Sequence, residues 1–258
     1  MPLDIHQAAD HLSISVGGYL YGTRRGVDFC RVCTTPVIPP YAYCKACNDI
    51  NHSASLKSMP LADMVLPLVY IDDEPQSKLL MHGYKGDQVG PEPQWELLLS
   101  VALMADLGLL IHRNCIESTL SPLTALSFVP STRGRLDQPI KRIANLMSKE
   151  SGLPVIEAKY IGPQPSTRGY SPTHYEILPG AVDPTHVLLI DDTWTTGGSA
   201  QSVATLLKLS GSQVVTVLVI GRWLRSSWPP SADFILNQMK QKPYTPFDCP
   251  VSGTGSCP

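Results

Sequence analysis

Net charge is almost missing from this 258-residue sequence: 20 Lys and Arg against 22 Asp and Glu leave −2, with a pI near 6.4. That excludes a global attraction to nucleic acid or to an anionic membrane, so any such contact is local. Long apolar runs are missing too. The longest, Leu97 to Ile111, is broken by Asp106 and is too short to span a bilayer. The opening MPLDIHQAADHLSIS lacks a basic start followed by an apolar core, which predicts no secretory signal and a cytoplasmic protein without membrane contact. A Gly-x-x-x-x-Gly-Lys-Ser/Thr phosphate loop is not present, and Gly197 and Gly198 do not build a Gly-x-Gly-x-x-Gly turn. What is there, 43% hydrophobic content over this length, can bury a full core as one main domain with a small appendage.

The stretch from His186 to Ser202, HVLLIDDTWTTGGSAQS, concentrates the chemistry. Val187 to Ile190 suits a strand buried on both faces, and Ala200 to Leu209 has helical spacing. Between them lie two carboxylates, Asp191 and Asp192, then the hydroxyls of Thr195, Thr196 and Ser199 around Gly197 and Gly198. Glycines let the backbone approach a ligand, and the free N–H groups of the following helix favour a phosphate. Carboxylates at the end of a parallel strand accept hydrogen bonds from a vicinal diol. Phosphate beside diol describes a ribose 5-phosphate. The plain alternative is an ordinary strand-to-helix turn.

Asp191, Asp192, Thr196, Gly197, Gly198 and Ser199 resemble the phosphoribosyl pyrophosphate signature of type I phosphoribosyltransferases, in which two acids precede a Thr-Gly-Gly-Ser/Thr turn. The resemblance implies an open parallel sheet with helices on both faces, with Asp191, Asp192 and Thr195 to Ser199 holding the phosphoribosyl group.

Four of the seven cysteines fall in Cys30-Arg-Val-Cys33 and Cys44-Lys-Ala-Cys47, ten residues apart. Two such pairs read as one structural Zn²⁺ site, each wrapping a tight turn around the metal. The proline-rich TTPVIPPYAY between them fits a ribbon folded by metal binding. A redox pair or disulfides are the alternatives. His52 reads as a surface histidine, Cys115 as an inert thiol, and Cys249 and Cys257 as free thiols on a flexible tail. Arg24, Arg25, Arg31, Tyr41, Tyr43 and Lys45 near the ribbon could contact single-stranded DNA weakly, or form a solvated face.

Along the rest of the chain, residues 1–60 read as the zinc module, with Asn48 to Met59 as a linker, residues 61–225 as the main domain and 226–258 as a helix and proline-rich tail. Met64 to Ile71, Ala125 to Pro130, Pro154 to Lys159 and Gln213 to Ile220 are the expected further strands. Expected helices are Ser77 to Met81, Glu92 to His112, Pro139 to Ser148 and Ala232 to Lys240. Trp95, Leu98, Leu99, Ala102 and Leu103 make a stripe expected in the core. Ser131-Thr132-Arg133-Gly134-Arg135 follows a strand and suits a polyanion. Tyr160 to Pro184 reads as a lid or hairpin, with Arg168, Tyr170, His174 and Tyr175 as candidate ligand-facing residues.

The four-cysteine ribbon, the Tyr84-Lys85-Gly86 element and the C-terminal signature, in that order, resemble the ComF family of amidophosphoribosyltransferase-like proteins, which are associated with competence for DNA uptake. The arginine loop is shorter than the family's Arg-Gly-Phe-Asn-Gln run, and the hood lacks the Asn after its arginine. The resemblance implies phosphoribosyl transfer from phosphoribosyl pyrophosphate with Mg²⁺ to a nitrogen acceptor of unknown identity, with Lys85, Arg133 and Arg168 as candidate catalytic cations. It also implies, as the alternative, a non-catalytic sensor of that ligand or a DNA-transaction protein, and it allows a homodimer. Thr195 stands where purine-salvage members carry an Asp base, which argues against a purine acceptor.

Overall fold

The structure, a computed structural model, describes residues 4–86, 94–133, 138–163, 169–178, 185–255 and 257. Eight strands and seven α-helices are present among them. The strands are β1 (Tyr21–Gly22), β2 (Met64–Ile71), β3 (Ala125–Phe128), β4 (Val155–Ile156), β5 (Ala158–Tyr160), β6 (Tyr175–Ile177), β7 (His186–Trp194) and β8 (Val214–Trp223). The helices are α1 (Ile5–Val16), α2 (Lys45–Ser55), α3 (Pro75–Gly83), α4 (Gln94–Thr119), α5 (Pro139–Ser151), α6 (Gly198–Leu209) and α7 (Pro229–Asn237). Six strands form one sheet in the order β1-β2-β8-β7-β3-β4, parallel except for β1 at its edge. β5 and β6 pair separately as an antiparallel hairpin.

Period-two alternation sorts the sheet's side chains onto two apolar layers. Leu188 and Ile190 of β7, with Leu218 and Ile220 of β8, pack with α1, α3, α4 and α5. Val187 and Leu189, with Val215, Val217 and Val219, pack with α6 and with Cys30, Cys33, Cys44 and Cys47. Helices thus cover both faces, and the four-cysteine segment lies on the same face as α6.

Several local expectations change. Asn48 to Met59 is largely helical: Cys47, Ile50 and Ala54 of α2 recur at helical spacing and are buried, which outweighs the weak helix propensity of its Asn and Ser residues. α4 is apolar nearly all round and buries Leu97, Val101, Met104, Ala105 and Leu107, leaving Trp95 at 64% and Leu99 at 57% exposure instead of in the core. By length and composition α4 could also cross a membrane, but half of that window is buried against the protein. The tail is held: Lys242 O accepts from Gly22 N at 2.9 Å, and Tyr244 N donates to Leu20 O at 2.9 Å. Cys249 is a free thiol as expected but is buried, and Cys257 is disulfide-bonded to Cys115 of α4, so the expected free Cys257 and inert Cys115 are corrected.

Asp106 is the one charged side chain between Leu97 and Ile111 of α4, and its Oδ1 is buried without a hydrogen-bond partner. Burial pushes its pKa up to about 6, and Glu150 adds to the effect. The folded chain therefore holds this proton more tightly than the unfolded chain. Stability from this group is greatest below its unfolded value, falls as pH rises through about 6, and is flat above. Asp106→Asn is expected to raise stability at pH 7 by ~1 kcal/mol after allowance for solvent screening, with no gain near pH 3. Urea denaturation at the two pH values checks this.

Candidate functional site

β7 does not stop at Ile190 but runs through both acids to Trp194, paired with β8 on either side of Asp192. Alternation then sends the two carboxylates apart. Asp191 is 8% exposed. Asp192 turns toward the end of α3, where Tyr84 Oη donates to its Oδ2 at 2.6 Å and Lys85 Nζ lies 2.7 Å from the same oxygen. The ammonium of Lys85 also sits 5.3 Å from the centre of the Tyr84 ring. Lys85, which sequence alone leaves in a loop, is therefore fixed beside the acids.

Beyond Trp194 the chain turns through Thr195 and Thr196 to Gly197, whose φ of 86° is left-handed. α6 starts at the next residue and no side chain caps it. Its first turn thus keeps its N–H groups and dipole for a ligand. A Cβ on Gly197 would overlap the Trp194 indole. The added carbon strikes the floor of the loop.

This loop forms one wall of a cleft of about 320 Å³. Asp191, Asp192 and Thr195 to Ser199 line it, and so do Lys85 and Arg133. Ser131 N donates to Gln138 Oε1 at 3.1 Å, closing the base of the arginine loop across its neck. Gly134 and Arg135 lie outside the described residues, as does Arg168. The other hood candidates face elsewhere. Tyr170 Oη is 3.0 Å from Thr205 Oγ1 on α6, Tyr175 is 6% exposed in the core, and His174 meets Tyr160 edge-on. Their contacts are structural. Sequence reasoning missed His82, Trp223 and Arg225, which also line the cleft. Trp223 and His82 meet edge-on at 5.6 Å. The only sequence signal for Trp223 and Arg225 was their place after the apolar run of β8.

Behind the loop lies the four-cysteine cluster. Its sulfurs are all within 4.8 Å of one another, and those of Cys33 and Cys44 are 3.6 Å apart. A tetrahedral shell with Zn–S of about 2.3 Å separates sulfurs by about 3.8 Å, so the group could hold such an ion. His52 is exposed. Tyr70 Oη donates to Thr34 O at 2.7 Å, fastening the first cysteine turn to β2.

Arg222 joins the cluster to the phosphate loop. Its guanidinium is buried and donates to the carbonyls of Trp194 at 2.7 Å, Thr195 at 3.0 Å and Trp223 at 2.6 Å, and to Thr35 Oγ1. Among the described residues no carboxylate forms an ion pair with it. Burial alone would lower its pKa, but the sulfurs of Cys33, Cys44 and Cys47 outweigh burial and raise it. Nε has no acceptor at hydrogen-bonding geometry, so Cys33 acts on it as a nearby charge. The cysteines and the loop, expected in separate units, therefore share one apolar layer and one cation.

The basic patch near the ribbon is smaller than the sequence suggests. Arg24 donates to Gln238 O at 2.8 Å, and Arg25 to Pro250 O and Val65 O, each at 2.8 Å. Lys45 pairs with Asp49 at 2.6 Å. Arg31, Tyr41 and Tyr43 are exposed.

No protein-family model matches the chain, and no curated protein does. Solved structures do. An adenine phosphoribosyltransferase from Leishmania tarentolae is 16% identical over 60% of this chain and 90% of its own, with a TM-score of 0.36. An orotate phosphoribosyltransferase from Aeropyrum pernix is 20% identical over 67% and 81%, at 0.32. An adenine phosphoribosyltransferase from Trypanosoma brucei, in complex with AMP, pyrophosphate and ribose 5-phosphate, is 15% identical over 72% and 84%, at 0.38. At scores this low, the reading of function rests on the geometry of the chain itself.

Proposed function

We propose that residues 61–225 bind phosphoribosyl pyrophosphate and transfer its phosphoribosyl group to a nitrogen nucleophile, releasing pyrophosphate. The observation that carries this is the convergence, in one cleft, of an uncapped helix start behind a left-handed glycine, two strand-end carboxylates and the cations Lys85 and Arg133. The 5-phosphate goes to the N–H groups and hydroxyls of Thr195 to Ser199. Asp191 and Asp192 accept from the ribose hydroxyls. Lys85 and Arg133 face the pyrophosphate, where donors already in place stabilise the charge that grows as the bond breaks. Asp192 has a second task, since its Oδ2 holds Lys85 and Tyr84 in position.

Mg²⁺ fits this donor set. It prefers oxygen ligands, needs one or two carboxylates and takes the rest from substrate phosphates and water, which Asp191 and Asp192 beside a pyrophosphate supply. Bound there, it neutralises charge on the leaving group. Zn²⁺ is assigned to Cys30, Cys33, Cys44 and Cys47 as a structural ion, with Arg222 balancing its thiolates.

Asp192→Asn keeps the shape but removes a charged acceptor from the ligand and the charge partner of Lys85. The expected loss is about 1.5 to 3 kcal/mol, or roughly ten- to a hundredfold in affinity for phosphoribosyl pyrophosphate. Titration of the two proteins side by side checks it. Pyrophosphate release screened across ammonia, amines and nucleobases tests turnover. A protein that binds the ligand yet releases no pyrophosphate with any acceptor is a sensor, and the transfer reading fails.

A further inference from the structure

The tail cysteines converge with α4 in a second ligand cluster. A ring nitrogen of His112, Cys249 Sγ and Cys257 Sγ lie within 4.8 Å of one another, and His112 Nδ1 is 3.2 Å from Cys257 Sγ. Cys115, one helical turn after His112, is covalently joined to Cys257. His112 and Cys249 are each 1% exposed. A disulfide uses only two of these four groups. It leaves a buried thiol and a buried imidazole facing it.

Local geometry matches the four-cysteine site twice over. At Cys30 the N–H donates to Thr35 O at 2.7 Å, the carbonyl accepts from Thr34 N at 2.9 Å, and Thr34 has a φ of 59°. At Cys249 the N–H donates to Thr254 O at 2.9 Å, the carbonyl accepts from Gly253 N at 2.8 Å, and Gly253 has a φ of 76°. The same turn is made at the same offsets, with Ser252 where the first turn has Cys33. The helical half matches as well. Cys44 and Cys47 sit three residues apart at the start of α2, and His112 and Cys115 sit three apart on α4, a spacing that puts both ligands on one helix face.

The imidazole is oriented as a ligand. His112 Nε2 is 2.8 Å from Pro246 O, and a carbonyl only accepts, so Nε2 carries the hydrogen and Nδ1 presents its lone pair toward Cys257. A metal-bound histidine is held in this way by a carbonyl on its other nitrogen.

We propose that His112, Cys115, Cys249 and Cys257 form a second zinc site, of the Cys₃His kind, in the reduced chain, clipping the tail onto α4. Loading it from the disulfide form requires a dithiol. The dithiol transfers two electrons and two protons to the Cys115–Cys257 bond and becomes its own disulfide, giving two thiols. Zn²⁺ then displaces the protons of Cys115, Cys249 and Cys257 and takes the Nδ1 lone pair, releasing three protons.

The test counts zinc in the full chain after dithiol reduction, incubation with Zn²⁺ and anaerobic desalting. Two ions per chain are expected, falling to one in Cys249→Ser. With zinc bound, Cys115, Cys249 and Cys257 should resist alkylation, and all three should label after chelation. One zinc in the reduced wild type overturns the proposal. So does a second zinc that survives in Cys249→Ser. If that variant does not fold, wild-type labelling decides: the three cysteines alkylated alike with and without zinc contradict the site.

Discussion

Gly197→Val is expected to abolish binding of ribose 5-phosphate and phosphoribosyl pyrophosphate while leaving the rest of the fold in place. At φ of 86° a β-branched residue meets its own backbone, a cost of roughly 1 to 2 kcal/mol before any contact is counted. The new Cβ also overlaps the Trp194 ring, which is 1% exposed and cannot swing aside without opening the apolar layer around it. The backbone must therefore leave the left-handed conformation, and the first turn of α6 loses its aim into the cleft. Isothermal titration on a variant with wild-type circular dichroism and wild-type zinc content is the check. Binding within twofold of wild type would mean that the loop is not the phosphate site.

Arg222→Met should be the most destabilising single change near the site. The methionine fills part of the space but leaves the carbonyls of Trp194, Thr195 and Trp223 without their shared donor and the cysteine cluster without its cation. Breaking one side of a buried ionic arrangement costs about 3 to 5 kcal/mol. For a chain of this size that corresponds to a fall in Tm on the order of 10 °C. A four-thiolate zinc site carries two net negative charges, so the variant should also lose that zinc faster to a chelator. Calorimetry showing an unchanged Tm, or chelation at the wild-type rate, would show that Arg222 does not join the two sites.

Legibility in the sequence followed the range of the interactions involved. β2 was readable to the residue, since Met64–Ile71 is a continuous apolar run bounded by Asp63 and Asp72. The acids and glycines of the phosphate loop were readable because they sit within nine residues of one another. α1 escaped notice although Ala9, Leu12 and Val16 recur at helical spacing, because most of its other positions are polar and its stability comes from packing on α4. The buried face of α4 could not be chosen by periodicity in a helix that is apolar on most sides. The grip of Tyr84 and Lys85 on Asp192, the span of Arg222 from loop to cysteines and the meeting of Cys115 with Cys257 all join residues far apart in the chain. Tertiary packing alone brings these together, and no local pattern encodes it.

The central claim is tested most directly by isothermal titration of the wild-type chain with phosphoribosyl pyrophosphate in the presence of Mg²⁺. Saturable binding of one ligand per chain, competed by ribose 5-phosphate and missing in Gly197→Val, is the predicted result. No binding of either ligand at millimolar concentration would contradict it.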